Sequence, residues 1–405
     1  MPPSKKKIMP VMYWNKPEIM SIKHDYTSET DRLSFLPDSL LITILSLVPI
    51  HSAAATSVLS HRWRYLWTQI THISFEPCMG RMCRKPFRSF RGFKNTVNHI
   101  LFQLSSSKLH TFRLNFPFPN TLLQEQQTDD TTTFYSELRD CIACIVPWIE
   151  LVSHRNPEAI IVTFHDSNTI RLPHLPVSFL QTQSLVTLKL IANVELNFPK
   201  DNLQVNLPNL KKLHMNLFDS QRCVMDTLFR SCPLLEHLLL SLRLNELDHL
   251  IHISAPNLKD LDINLEESSL LSIHTKFVVN APKLERFEVR GLLAVYDFVT
   301  NPTNLRHVIF ILQKIDGFII DHVFVNTRQG LFRGISCVRN LVLVGDCGIT
   351  ISLLDFVAGI NGLPIYHNLV YLHLNCGESD VDFVDNNWRP QLPSFWSANL
   401  KSINV

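Results

Sequence analysis

The chain has 405 residues, 45% of them hydrophobic, so it has ample material for a core and is not globally disordered. That length predicts about two units or one elongated one. A formal charge of +2 excludes wholesale nucleic-acid binding and leaves room only for local basic patches.

Other classes fall away on motif grounds. The 11 glycines include no G-x-G-x-x-G and no G-x-x-x-x-G-K-[ST], so nothing supplies a backbone cradle for a nucleotide phosphate. No apolar run reaches membrane-spanning length. The nine cysteines are scattered. Cys141 and Cys144 form C-x-x-C without a second pair at zinc-site distance, so the thiols read as reduced and structural. The expectation is a soluble intracellular protein, in nucleus or cytoplasm, with no cofactor and neither nucleic acid nor membrane among its partners.

Residues 1–30 are polar and punctuated by Pro2, Pro3, Pro10 and Pro17, which predicts a disordered tail. Lys5–Lys7 read as part of that solvated tail, with nuclear import as the alternative. Residues 31–75 hold two or three short helices. Pro37 fits the first turn of one, followed by a broad apolar stripe at Leu40, Leu41, Ile44, Leu45, Leu47 and Val48 that Pro49 ends. Ser52 is the expected N-cap of the next helix, opening with Ala53, Ala54 and Ala55. Val58, Leu59, Trp63, Leu66 and Trp67 continue its apolar face, with the stems of Arg62 and Arg64 laid along it. Such a small unit exposes apolar surface until a partner covers it, and Trp, Tyr and Arg are enriched at binding hot spots.

This segment resembles an F-box of the plant F-box/leucine-rich-repeat type, whose pattern is followed by "LPDSLL", "ILSLVP", "AATSVLSHRWRYLW" and "ITHISF". It departs from that pattern at Ile50–Ser52, where the family usually has a threonine, a lysine and an acidic residue. The resemblance implies docking onto the Skp-type adaptor of an SCF (Skp–cullin–F-box) ubiquitin ligase, and through it onto a cullin. Carried over position by position, the adaptor-binding residues are Leu36, Pro37, Leu40, Ile44, Leu47, Val48, Pro49, Val58, Leu59, Arg62, Trp63, Leu66 and Trp67. Some of these must pack within the F-box instead.

Residues 76–108 read as a connector with a helix. "RMCRKPFRSFRGFK" interleaves six basic residues with Phe87, Phe90 and Phe93, which reads as a solvated connector anchored by its phenylalanines rather than a nucleic-acid strip. Phe93, Val97, Ile100, Leu101 and Leu104 form one helical stripe. Leu138, Ile142, Ile145, Val146 and Ile149 form another.

From Leu109 to Val405 an L-x-x-L-x-L pattern recurs. Its clearest copies start at Leu185, Leu210, Leu235, Leu258, Leu284, Leu305, Val338, Leu369 and Leu400. Successive starts differ by 25, 25, 23, 26, 21, 33, 31 and 31 residues, so the first five fit a leucine-rich-repeat period and the rest imply insertions. "LHTFRL" at Leu109 and "AIIVTF" at Ala159 read as earlier copies, and proline turns precede several repeats. The fold class is therefore an α/β repeat: a short all-helical F-box followed by an irregular leucine-rich-repeat solenoid, with a parallel concave sheet and helices on the convex side. Many relatives continue into an FBD region, whereas this chain ends on a repeat strand, so a truncated or divergent C-terminus is expected.

The residues between the motif leucines face away from the core. Aligning repeats sets Asp260 beside Arg286, Asp262 beside Glu288, and Asn264 beside Arg290. It also sets Ile309 and Ile311 beside Val342 and Val344, followed by Tyr371, His373 and Asn375. These form the candidate substrate surface, a charged centre with an apolar neighbour and an aromatic–His edge. The bland alternative is an ordinary solvated sheet face. His249 and His252 lack a third ligand nearby, Asp260 and Asp262 lack an opposed acid, and no G-x-S-x-G nucleophile motif exists. The expectation is a non-catalytic subunit that holds an unknown target protein near the transfer machinery. Two alternatives stay open: a repeat scaffold without a ligase role, and a small-molecule receptor within the solenoid.

Overall fold

A computed structural model describes residues 33, 35–75, 90–116, 136, 139–164, 171–172, 177–194, 205–218, 222–243, 250–266, 275–313, 327–345, 366–376 and 402–404. The tail expected at residues 1–30 and the basic–aromatic stretch before Phe90 lie outside the described residues.

The N-terminal unit opens with helix α1, Asp38–Leu45. Pro37 stands at its N-cap, φ −63° and ψ 152°, one step before the first turn in which it was expected. The helix stops at Leu45 and leaves Leu47 and Val48 in the following turn. Pro49 accounts for this, because a residue that precedes proline is driven out of the helical region. Helix α2, Ile50–Ala55, starts directly behind Pro49, so Ser52 lies inside it and is not its cap. The chain then tightens into two 3₁₀ segments, Thr56–Val58 and Trp63–Gln69, where one longer helix was expected. Thr56 and Thr68 each donate a hydroxyl hydrogen bond, 2.7 Å long, to the carbonyl three residues back, at Ala53 and Tyr65. Such back-bonding threonines favour short tight turns over continued α-helix.

Strand β1, His72–Phe75, lies at the end of the segment assigned to the F-box and is the first strand of the sheet. It pairs in parallel with β2, Thr111–Phe116, placing His72 opposite Thr111. Helix α3, Phe90–Gln103, intervenes. The sheet continues through β3 (Ala159–Phe164), joined at its next strand by the short β4 (Arg171–Leu172). Then come β5 (Thr187–Val194), β6 (Lys212–Phe218) and β7 (His237–Arg243). After the intervening β8 (Leu250–Ser254), β9 (Asp260–Leu265) rejoins the sheet. The same happens with β10 (Lys276–Asn280) and β11 (Arg286–Gly291), and with β12 (Val295–Phe298) and β13 (His307–Leu312). Strands β14 (Asn340–Gly345), β15 (Tyr371–Cys376) and β16 (Ser402–Asn404) complete it. All pairings in this 13-stranded sheet are parallel.

The repeat pattern explains this order. The opening leucine of each motif (Leu185, Leu210, Leu235, Leu258, Leu284) is buried, as are the apolar residues three and five positions on. The turns before the strands recur in kind: the amide of Leu210, Leu235, Leu258 or Leu284 donates to the carbonyl three residues earlier. Asparagines at the proline turns tie neighbours together, Asn209 Nδ2 reaching the Gln183 carbonyl and Asn257 Nδ2 that of Pro233, both at 2.9 Å.

The second layer departs from expectation in the middle repeats. There the structure has a separate parallel sheet, ordered β12–β10–β8, instead of helices. "LIHIS" and "KFVVN" alternate with a period of two and are rich in β-branched residues, which suits a half-buried strand and not a helix. Helices do occupy this layer elsewhere, including Ile145–Ser153 and Arg222–Arg230. The two sheets are joined by aromatics. Phe287 of β11 meets Tyr296 edge-on at 5.3 Å, Phe298 at 5.7 Å and Phe310 at 6.3 Å, and Tyr296 stacks on Phe277 at 5.1 Å. Phe287→Ala is therefore expected to cost about 3–5 kcal/mol in urea unfolding. The outward-facing Val278→Ala is expected to cost about 1 kcal/mol or less.

Candidate protein-interaction surfaces

The small N-terminal unit separates its apolar residues into two sets. Trp63, Leu66 and Trp67, assigned by resemblance to the adaptor face, are buried with Leu41, Leu45, Ile50, Ala53 and Ile70. Both indoles are under one tenth exposed, at 8% and 6%. A unit this small needs its largest side chains for its own core. Leu36 packs partly against the same core.

The remaining residues of that assignment face outward. Leu40, Ile44 and Leu47 follow one another at i, i+4 and i+7, and Pro37, Val48, Pro49, Val58 and Leu59 are also exposed. Leu47 is 82% exposed and Val58 84%. Phe35 and Tyr65, absent from the assignment, are exposed large apolar residues of the same unit. Arg62 serves the unit's own architecture: its guanidinium lies 2.7 Å from Asp38 Oδ1 and donates to the Leu36 carbonyl, tying the 3₁₀ segment to the start of α1.

On the sheet, the strand register matches the alignment of repeats. Arg286 pairs with Asp260, Glu288 with Asp262 and Arg290 with Asn264; Ile309 pairs with Val342 and Ile311 with Val344. His373 lies beside Val342 and Asn375 beside Val344, with Tyr371 opposite Asn340. These residues form continuous rows on the face opposite the core, half-buried or exposed except for Glu288, which is buried.

The charged centre is largely satisfied from within. Glu288, its side chain only 4% exposed, accepts from Arg286 Nη2 at 2.5 Å and from Arg290 Nε at 2.7 Å. Arg290 also lies 3.2 Å from Asp262 Oδ2. Asp260 pairs with His237 Nδ1 at 2.5 Å. His252 donates its backbone N–H to Asp226 Oδ1 at 3.0 Å, with its ring Nδ1 3.3 Å from Oδ2, so it joins β8 to the preceding helix. His249 lies outside the described residues.

Beside this centre runs a groove of ≈ 320 Å³ over β5–β11. Its lining adds Lys189, Lys212 and His214 to the centre's Asp260, Asp262 and Arg286. Reading the repeats from Leu258 onward missed these three. The same alignment three repeats earlier, "LVTLKL" over "LKKLHM", places Thr187 beside Lys212 and Lys189 beside His214, as the register does.

Two groups in the groove have opposed protonation equilibria. Burial pushes the Asp262 carboxyl up to about 6, with Glu288 adding to the push and Arg290 opposing it. Burial, then the charges of Lys189 and Arg290, bring His214 down to about 4. Between pH 4 and about 6, folded Asp262 keeps a proton that the unfolded chain gives up, so its contribution to stability falls as pH rises. Folded His214 lacks a proton that the unfolded chain takes up below 6.5, so its contribution rises over the same window. In thermal melts, His214→Gln should therefore gain Tm relative to the unmodified chain as pH is lowered from 6.5 to 4. Asp262→Asn should gain as pH is raised from 4 to 6.

Two family models match the chain. An F-box domain covers residues 33–71, and "FBD-associated F-box protein At5g56370, LRR repeats" covers residues 145–303. F-box/LRR-repeat protein 13 of Arabidopsis thaliana is 26% identical over 387 residues, 94% of this chain and 77% of that protein. F-box/FBD/LRR-repeat protein At5g22660 of the same plant is 25% identical over 369 residues, 88% of this chain and 74% of that protein. F-box/FBD/LRR-repeat protein At2g04230, also from Arabidopsis, is 30% identical over 212 residues, 51% of this chain and 42% of that protein. Two further Arabidopsis relatives, 30% and 31% identical, are matched over only 41% of their own length, so the chain spans less than half of them. The F-box model lies on the helical unit and the repeat model on the sheet, so the chain carries an F-box and leucine-rich repeats and is similar to plant F-box/leucine-rich-repeat proteins.

Proposed function

We propose that this chain is the target-holding subunit of an SCF-type ubiquitin ligase. Its F-box anchors to a Skp-type adaptor, which links it to a cullin, and its repeats hold a target protein. No chemistry is assigned to the chain itself. It acts by proximity, raising the local concentration of a target near transfer machinery carried by other subunits. An intracellular setting, nucleus or cytoplasm, belongs to the same proposal.

The observation that carries this reading is the division of the F-box residues. Both tryptophans lie in the core, while Leu40, Ile44, Leu47, Val58 and Leu59 stay exposed. Contiguous exposed apolar surface marks a partner site. The test is capture of a purified plant Skp-type adaptor by the full chain. Leu47→Asp combined with Val58→Asp should weaken capture by at least about tenfold and leave the far-UV spectrum and Tm unchanged. Trp63→Ala should lose capture and stability together, by about 3–5 kcal/mol. An unmodified chain that does not capture the adaptor rules out the ligase role and leaves the repeat scaffold.

A further inference from the structure

Among the described residues, two cations lining the groove, Lys189 of β5 and Lys212 of β6, have no carboxylate within ion-pair distance. They stand diagonally on adjacent strands, since Thr187 faces Lys212 and Lys189 faces His214. Lys212 is exposed and Lys189 half-buried. Arg286 and Arg290, in contrast, are committed to Glu288 and Asp262. The free positive charge of the groove is thus at its β5–β6 end.

Further along the same face, Ile309, Ile311, Val342 and Val344 make an apolar block on β13 and β14, half-buried apart from the exposed Ile311. Three strands separate the cationic end from this block: β7, β9 and β11. Of these, β7 presents His237 and Leu239 at the front, β9 presents the carboxylates Asp260 and Asp262, and β11 presents Glu288 between Arg286 and Arg290. A polyanion laid across them would meet repulsion, whereas a segment with a single acidic residue would not.

On the reading of the repeats as a target-holding module, we infer that the front of the sheet takes an extended target segment with one acidic side chain over Lys189 and Lys212 and one apolar side chain over Ile309 and Val342. The spacing follows from geometry. From β6 to β13 there are four inter-strand steps. At ~4.8 Å each these span roughly 19 Å, which an extended chain at ~3.3 Å per residue covers in about six residues. Curvature toward the front shortens the path, so a separation of about five or six residues is the expected optimum.

The probe is a set of fluorescein-labelled peptides in a Ser/Ala background. Each carries one Glu and one Leu, in either order, at separations of about two to nine residues. Anisotropy titration with the full chain should give tightest binding at a separation of about five or six. Lys189→Glu with Lys212→Glu should weaken the best peptide by about tenfold or more and flatten its salt dependence. The milder Lys189→Ala with Lys212→Ala covers the case where charge reversal impairs folding. Ile309→Ser with Val342→Ser should weaken binding and leave the salt dependence in place. The idea is overturned if peptides bind equally at every separation, if none binds by about 1 mM, or if a folded lysine double variant binds as the unmodified chain does. Adaptor capture by the same variants separates the two proposals. Intact capture with no peptide preference sinks only this one, and failed capture by the unmodified chain sinks the ligase role.

Discussion

One ladder of main-chain hydrogen bonds, running from the strand behind the F-box to the last described strand, governs the rest of this molecule. Each repeat joins it through the residue just before its strand. The amide of Glu236 donates to Lys211, that of Lys259 to Glu236 and that of Glu285 to Lys259, at 2.8–2.9 Å. From β6 to β15 the register advances without a shift. A slip of one residue would turn every core leucine of a strand to the front. Among the described residues a register shift falls between Leu190 and Asn193, beyond Thr187 and Lys189, and leaves both in line with β6. The chemistry of the front face is therefore set by which residues stand between the leucines.

That constraint decides which charges are available. Ladder pairing brings Asp262, Glu288, Arg286 and Arg290 onto adjacent strands, where they pair with each other. Glu288 is the buried member and the arginines are about half exposed, so removing either arginine leaves the Glu288 carboxylate under-compensated, and the cluster specifies the face more than it stabilises the fold. The Lys211–Glu236–Lys259 series at the strand starts has its lysines about half exposed, and pairs of that kind contribute little. Lys212 sits one residue inward of that series and Lys189 three, outside both networks.

Much of this was legible in the sequence, and the reason is periodicity. The L-x-x-L-x-L copies located the strands, and aligning them gave the correct neighbours for Arg286, Glu288, Ile309 and Val342. The F-box pattern located the helical unit but not the roles within it. An apolar stripe does not reveal which tryptophan faces a core and which a partner, because that depends on how three short elements cross. Trp63 and Trp67 prove to be core. The second-layer strands β8, β10 and β12 differ from the expected helices because that expectation came from the general repeat architecture, whereas the local period of two in "LIHIS" and "KFVVN" favours strand. Lys189 and Lys212 belong to the Leu185 and Leu210 repeats, three and two repeats before the charged centre, where the sequence offers no carboxylate pairing to mark them.

The central claim is that the outward apolar face of the F-box and the front of the sheet are separate contact surfaces on one chain. Hydrogen–deuterium exchange of the full chain, alone and with a purified Skp-type adaptor, addresses it most directly. Slowed exchange confined to residues 38–59, with the amides of β9 and β11 unchanged, is the predicted result. Slowing on the sheet strands, or none in residues 38–59 while the adaptor is bound, would contradict it.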